Sequence, residues 1–170
     1  MNGEHQHEND HGHSHCGCHG HGEEKSHDCH CSYHSHVVEL TAEEKRFLEY
    51  ALLAQPVDVV RFLLRSSKSE HFETIAMAPV HMKTPEDSMG EVQDAAAMLK
   101  VLADYALIEL DYDAPIEGFD YGRYEQSESY IYFLQTVEEA KTNPDFVFDL
   151  GLMEKGRIIL TSNGEKVAAM

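Results

Sequence analysis

The sequence predicts an α+β domain over residues 37–170, preceded by an N-terminal segment of a different kind. Two observations support this division. Eleven of the 13 histidines and all four cysteines lie at or before His36. Beyond that residue, stretches with apolar residues at helical spacing are interspersed with stretches of alternating apolar residues, which are typical of helices and strands respectively. The chain is therefore predicted to contain one ordinary domain and one extension.

The extension, residues 1–36, is made mainly of polar and small residues. It holds Gly, Ser, Asn, Asp and Glu beside its histidines and cysteines, with almost no large aliphatic side chains. Such a segment cannot bury enough apolar surface to offset the entropy lost when its backbone is ordered. We therefore expect residues 1–36 to be disordered when no ligand is bound.

Imidazole and thiolate groups dominate this segment, and both are ligands that Zn²⁺, Ni²⁺ and copper prefer. Two Cys-x-Cys pairs can close a tetrahedral site, and the neighbouring glycines permit the tight turns that this requires. Because their spacing differs from the Cys-x₂-Cys of common zinc modules, the pattern indicates several overlapping sites instead of one rigid finger. The candidate metal ligands are His11, His13, His15, Cys16, Cys18, His19, His21, His27, Cys29, His30, Cys31, His34 and His36.

Three other interpretations of the segment remain open. An expression tag would normally be an uninterrupted histidine run without paired cysteines. A disulfide framework would suit a secreted chain, but no apolar signal peptide precedes the cysteines. A solvated tail could also bind metal in vitro without a cellular role. In composition, the segment resembles the His-rich extensions of nickel metallochaperones and the loops of zinc transporters, which implies Zn or Ni as the divalent transition metal. Copper is also compatible with these ligands.

The first half of the domain is predicted to be mainly helical. Thr41 and Glu44 have the form of a capping box, and Phe47 and Leu48 begin an apolar stripe, which predicts a helix over 42–54. Pro56 is expected to open a second helix over 57–68. Its exposed face would carry the only basic stripe of the chain, formed by Arg61, Arg65 and Lys68. Residues 71–80 are rich in β-branched residues and indicate a strand.

The second half is predicted to combine a long helix with a hairpin. Thr84, Pro85 and two acids have the composition of a helix start, so a helix is expected from there to about 104. Alternation over 107–113 and over 130–136 predicts two strands joined by a long loop. A short helix over 137–142, a final strand over 157–161 and a terminal helix complete the assignment.

Residues 95–110, with the sequence Ala-Ala-Ala-Met-Leu-Lys-Val-Leu-Ala-Asp-Tyr-Ala-Leu-Ile-Glu-Leu, resemble the third helix and first wing strand of the winged-helix family. Residues 155–164 are similar to the strand and turn that end the wing in many such regulators. The resemblance covers 41–170 and implies a winged-helix-like fold, helices followed by a β-hairpin wing, that binds DNA or a protein. The sequence departs from the family in two ways. A 20-residue segment separates the second and third helices, and the helix that would enter the major groove is acidic.

Charge decides between these two partners. Residues 37–170 contain 12 basic and 25 acidic residues, a net charge of −13, whereas nucleic-acid binding usually leaves a basic footprint. We therefore favour a protein partner over DNA. Tyrosines around the predicted hairpin can anchor such a partner, although cross-strand tyrosines also stabilise hairpins by themselves. The candidate DNA or partner contacts are Arg61, Arg65, Lys68, Tyr121, Arg123 and Tyr124.

No phosphate-binding glycine loop, nucleophile elbow or His-Glu-x-x-His motif occurs in the sequence, so enzymatic activity is not expected. No apolar run approaches the roughly 20 residues that cross a bilayer. The sequence therefore predicts a cytoplasmic metal-binding protein that has a protein partner, does not associate with a membrane and is able to form a homodimer. The alternative is a metal-responsive winged-helix regulator that binds DNA.

Overall fold

The computed structural model describes residues 39–170, apart from the side chain of Glu70, and this part of the chain mixes helices and strands. The α+β class predicted from the sequence is confirmed. The elements within these residues are α1 (Ala42–Ala54), β1 (Val57–Ser66), β2 (Ser69–Val80), α2 (Met89–Asp104), β3 (Ile108–Asp111), α3 (Gly122–Glu125), α4 (Glu128–Ala140), β4 (Leu150–Leu160) and α5 (Ser162–Ala168).

The four strands form one antiparallel sheet in the order β2-β1-β4-β3. Strand β1 lies inside the sheet and pairs with β2 on one side and with β4 on the other, where Val57 faces Ile158 and Phe62 faces Met153. Strand β3 pairs with the carboxyl-terminal half of β4. The sheet therefore brings the two ends of the domain together, and β2 and β3 form its edges.

Two apolar clusters cover the two faces of β1. Val57 and Val59 belong to a cluster that also contains residues of α1 and α2, including Leu48 and Leu99. Side chains on the other face of β1, such as Phe62, belong to a second cluster that also contains residues of α3 and α4. Because successive residues of a strand point to opposite faces, β1 is buried on both sides, which makes it the centre of the fold.

The predicted helix over 57–68 is wrong, since this segment is strand β1 and its turn into β2. Residues 57–60 are buried without interruption, as expected for a strand covered on both faces. Such a run cannot be distinguished from a buried helical turn by periodicity alone. Arg61 and Arg65 therefore lie on a strand. The predicted strand over 71–80 is confirmed, because it lies within β2.

Helix α1 begins as predicted, with a capping box in which Thr41 and Glu44 exchange backbone-to-side-chain hydrogen bonds. Helix α2 begins later than predicted. Its N-cap is Ser88, which forms a capping box with Glu91, because this pair satisfies backbone donors at both positions. Residues 84–87 form a turn before the helix, in which Thr84 contacts Asp87.

The predicted strand over 130–136 is wrong, because these residues belong to helix α4, whose N-cap is Ser127. The short helix expected over 137–142 is the end of α4. Tyr130, Phe133 and Val137 are at least partly buried along one face of the helix. A helix can therefore bury these apolar residues as well as an alternating strand can. Strand β3 exists, but its partner is β4, which starts at Leu150, well before the predicted 157.

The terminal helix is confirmed as α5. The winged-helix arrangement is not confirmed, because residues 57–68, expected as its second helix, form β1 and a turn. Residues 130–136, expected as a strand of its hairpin, belong to helix α4.

Two glycines provide a matched test of this packing. A Cβ at Gly164 would lie 1.9 Å from the Leu107 carbonyl oxygen, whereas a Cβ at Gly90 would meet nothing closer than 3.9 Å. We expect Gly164→Ala to lower the free energy of unfolding by about 2 kcal/mol or more through overpacking. Gly90→Ala should raise it by up to about 1 kcal/mol, because alanine loses less backbone entropy. Urea unfolding measures both, and a neutral Gly164→Ala would contradict the placement of α5 against residue 107.

Candidate functional site

A groove with a volume of about 1120 Å³ lies between α1 and α2. Its α1 wall includes Phe47 and Tyr50, and its α2 wall includes Met98 and Val101. The segment that follows β2 contributes His81, Met82 and Lys83, and α3 contributes Arg123. Elements from distant parts of the sequence therefore converge on this groove, which makes it a candidate site.

A buried ionic cluster stands beside the groove. Asp58 lies on β1 with 4% of its surface exposed. Its carboxylate accepts hydrogen bonds from the Tyr124 hydroxyl and from the Arg123 guanidinium, which also forms an ion pair with it. Burial, followed by the charge of Asp58, raises the pKa of Tyr124 far above its usual range, so its hydroxyl remains a donor. The cluster therefore fixes the position of α3 on the sheet.

His81 joins the same cluster through the backbone. Its Nδ1 is 2.9 Å from the Asp58 carbonyl oxygen, and its ring meets the Phe47 ring edge-on, with 5.8 Å between the ring centres. Since a carbonyl can only accept, Nδ1 carries the hydrogen and the neutral ring keeps Nε2 as an acceptor. Burial lowers the pKa of His81 below 6.5, although the hydrogen bond to Asp58 opposes the shift. The imidazole is therefore neutral at neutral pH.

Acids outnumber bases around the groove. The lining acids are Glu43, Glu44, Asp87, Glu91 and Asp94, and the lining bases are Arg46, Lys83 and Arg123. Desolvation alone would raise the pKa of Asp87, but hydrogen bonds from Lys83 and Thr84 outweigh it and lower this pKa. Hydrogen bonds from Ser88 lower the pKa of Glu91. Because Arg123 is already paired with Asp58, the groove carries a net negative charge.

The three basic residues of the predicted helical stripe, Arg61, Arg65 and Lys68, are not among the residues that line this groove. Arg61 forms an ion pair with Glu154 and lies over the Tyr112 ring. Arg65 pairs with Glu73 across β1 and β2, and Lys68 lies in the turn between these strands. The expected helical stripe is therefore wrong, and two of its three charges are paired within the sheet.

Two of the tyrosines predicted as partner contacts are buried, and this prediction is corrected. Tyr121 is 3% exposed and Tyr124 is fully buried. The Tyr121 hydroxyl donates to the Gly156 carbonyl at 2.7 Å and accepts from the Ile116 amide at 3.0 Å. Both rings belong to the second apolar cluster, so they support the fold. Arg123, predicted beside them, does line the groove.

Sequence reasoning did not single out Asp58 as part of a site, nor did it place His81 beside it. A signal existed for Asp58, because it is a lone acid within the apolar run of residues 57–60, and an acid in a buried strand needs a partner. The sequence offered no comparable signal that would place His81 beside Asp58. The contact of His81 with Asp58 depends on the antiparallel pairing of β2 with β1, which brings the end of β2 beside the start of β1.

The metal-ligand candidates between His11 and His36 lie outside the described residues, as does the expected disorder of residues 1–36. Within residues 39–170, no group of three or more His, Cys, Asp or Glu is arranged to hold a metal ion. No helix in this same range is both long and apolar enough to span a bilayer. Comparison of the chain with protein-family models, with curated proteins and with solved structures yields no match.

The buried imidazole makes stability depend on pH. In the unfolded chain His81 titrates near 6.5, whereas burial depresses its pKa in the folded chain. As the pH falls below 6.5, His81 binds a proton in the unfolded state but not yet in the folded state, so the free energy of unfolding falls. We expect His81→Gln to lose less stability than the unmodified chain between about pH 7 and about pH 5.5.

Urea unfolding at several pH values measures this difference. His71→Gln is the matched control, because His71 is exposed on β2, and it should keep the pH dependence of the unmodified chain. If His81→Gln lost as much stability on acidification as the unmodified chain, the buried neutral imidazole would be refuted.

Proposed function

We propose that this protein binds several transition-metal ions of the Zn²⁺ or Ni²⁺ type through its N-terminal segment, and that its folded domain binds a protein partner. The observation that carries the proposal is the density of ligands, since eleven histidines and four cysteines occur within 36 residues. Thiolates and neutral imidazoles bind such borderline ions at about 2.0–2.3 Å. Copper fits the same donors, with Cu(I) favouring the thiolates.

The ligands are redundant and separated by small residues, which favours a store or carrier over a sensor. A sensor needs an ion that stabilises one conformation of the folded domain more than another. Here the N-terminal segment alone offers enough donors for several complete coordination shells. The proposal places this activity in the cytoplasm, where reducing conditions keep the four thiols available as ligands.

The partner role of the domain is supported by its acidity and by the groove between α1 and α2. The second candidate, a metal-responsive regulator that binds DNA, ranks lower. Residues 37–170 have a net charge of −13, which repels phosphates. Arg61 and Arg65, the cations expected to contact DNA, already form ion pairs with Glu154 and Glu73. The winged-helix fold that this candidate requires is expected only from the sequence resemblance of residues 95–110 and 155–164.

Metal titration tests the proposal. We expect the full chain to bind several Zn²⁺ or Ni²⁺ ions, with affinity falling below about pH 6 as the imidazoles become protonated. Replacing the four cysteines by serine should weaken the tightest class of sites by at least about tenfold, which corresponds to about 1.4 kcal/mol of binding free energy. Isothermal titration calorimetry on protein purified without an affinity tag measures stoichiometry and affinity together.

His71→Gln is the matched control, because it removes an imidazole from the folded domain and leaves the N-terminal ligands intact. It should bind metal like the unmodified chain. If the variant with four serines, further changed by replacing its N-terminal histidines with glutamine, still bound metal as tightly as the unmodified chain, the assignment of the ions to residues 5–36 would be wrong.

A further inference from the structure

We propose that the groove between α1 and α2 binds a basic, amphipathic helix of a partner protein. This inference rests on the proposed partner role of the folded domain and specifies the chemistry of that partner. It depends on three properties of the groove: the spacing of apolar side chains along its walls, its negative charge and its volume.

Both walls repeat the same pattern. On α1, Glu43 is followed at i+4 and i+7 by Phe47 and Tyr50, and on α2, Asp94 is followed at the same intervals by Met98 and Val101. Residues at these intervals lie on one face of a helix. Along each wall, a carboxylate is therefore followed by two apolar side chains.

The apolar part of the groove is accessible. Tyr50 is 50% exposed and Val101 is 37% exposed, and Met98 is half-buried. Phe47 and Met82, which also line the groove, are buried. Methionine adapts to side chains of different shape, and it is common at surfaces that bind helices. An amphipathic helix presents apolar residues at i, i+3, i+4 and i+7, which matches the spacing of both walls.

The charge of the groove selects a cationic partner. The exposed acids Glu43, Glu91 and Asp94 line it, and the domain as a whole carries −13. Opposite charge accelerates encounter and discriminates against acidic partners. A second copy of this acidic chain, or a nucleic acid, would meet like charge at this surface.

The volume favours a peptide segment over a small molecule. At about 1120 Å³, the groove exceeds the roughly 300–1000 Å³ of most small-molecule pockets. It is also walled by two helices, so that a third helix laid between them would bury apolar side chains in the manner of ordinary helix packing.

The test uses the full chain and a fluorescein-labelled peptide of Leu and Lys. The peptide has about 18 residues, roughly five helical turns, with Leu at helical spacing. Two comparison peptides separate the contributions: a scrambled isomer with the same composition, and an isomer with Glu in place of Lys. We expect saturable binding of the amphipathic basic peptide at about 0.15 M ionic strength, and binding at least about tenfold weaker for each comparison peptide.

Matched variants locate the site. Tyr50→Ala/Asp94→Lys removes one aromatic contact and one acid from the groove. Tyr132→Ala/Glu139→Lys makes equivalent changes at exposed positions of α4, where Tyr132 is 64% exposed and neither residue lines the groove. We expect the groove variant to weaken peptide binding by at least about tenfold, which is typical of losing one anchor residue. The α4 variant should bind within about twofold of the unmodified chain.

Amide chemical shifts of the unmodified chain provide a second measurement that does not depend on the folding of a variant. On addition of the basic peptide, the shifts should concentrate at residues 43–50, 81–83 and 91–101. Equal loss in the two variants, equal binding of the scrambled peptide, or shifts centred on α4 would each overturn the inference. So would a dimer that the groove variant dissociates while peptide binding stays the same, because the groove would then hold a second copy.

Zn²⁺ titration of the groove variant separates this inference from the metal proposal. Neither Tyr50 nor Asp94 belongs to the N-terminal segment, so metal binding should be unchanged. In the unmodified chain, intact metal binding without binding of the basic peptide would refute the groove inference and leave the metal proposal standing. Peptide binding in a chain that binds no metal would refute the metal proposal and leave the groove inference standing.

Discussion

The buried carboxylate of Asp58 is the constraint on which the arrangement of the domain depends. It lies on the central strand, and the cost of desolvating it is several kcal/mol unless partners compensate. Arg123 and Tyr124 supply the charge and the hydrogen bond, which holds α3 against the sheet. The carbonyl of the same residue accepts from His81, which holds the chain after β2. The groove is therefore bordered by groups that one residue of β1 positions.

Local signals predicted the elements whose ends are determined locally. The capping box of Thr41 and Glu44 satisfies backbone donors within one turn, so α1 was predicted with its correct bounds. The identity of β1 depends on elements far along the chain, because β2 and β4 flank it and helices cover both of its faces. Its apolar run is compatible with a helix until those partners are known. Helix α4 was misassigned for the same reason, since Tyr130 and Phe133 pack against Phe62 of β1.

The proposed metal binding and the proposed partner binding differ in how far the sequence predicts them. Metal ligation in residues 5–36 depends on composition, so it can be proposed without any fold. The groove cannot, because Tyr50, Met98 and Arg123 come from three elements and meet only in the folded chain. Arg123 was recognised as a candidate contact. The adjacent Tyr121 and Tyr124 were not distinguished from surface residues, since a buried hydroxyl with a partner has the same sequence pattern as an exposed one.

We propose that the N-terminal segment holds the metal independently of the fold, so that the acidic domain is free to bind its partner in either metal state. Amide spectra of the ¹⁵N-labelled full chain during addition of Zn²⁺ test this independence. We expect changes confined to the resonances of residues 5–36, with those of residues 39–170 almost unchanged. Broad shifts along α2 and β3, from Met89 to Asp111, would contradict it, because they would show that metal binding alters the folded domain.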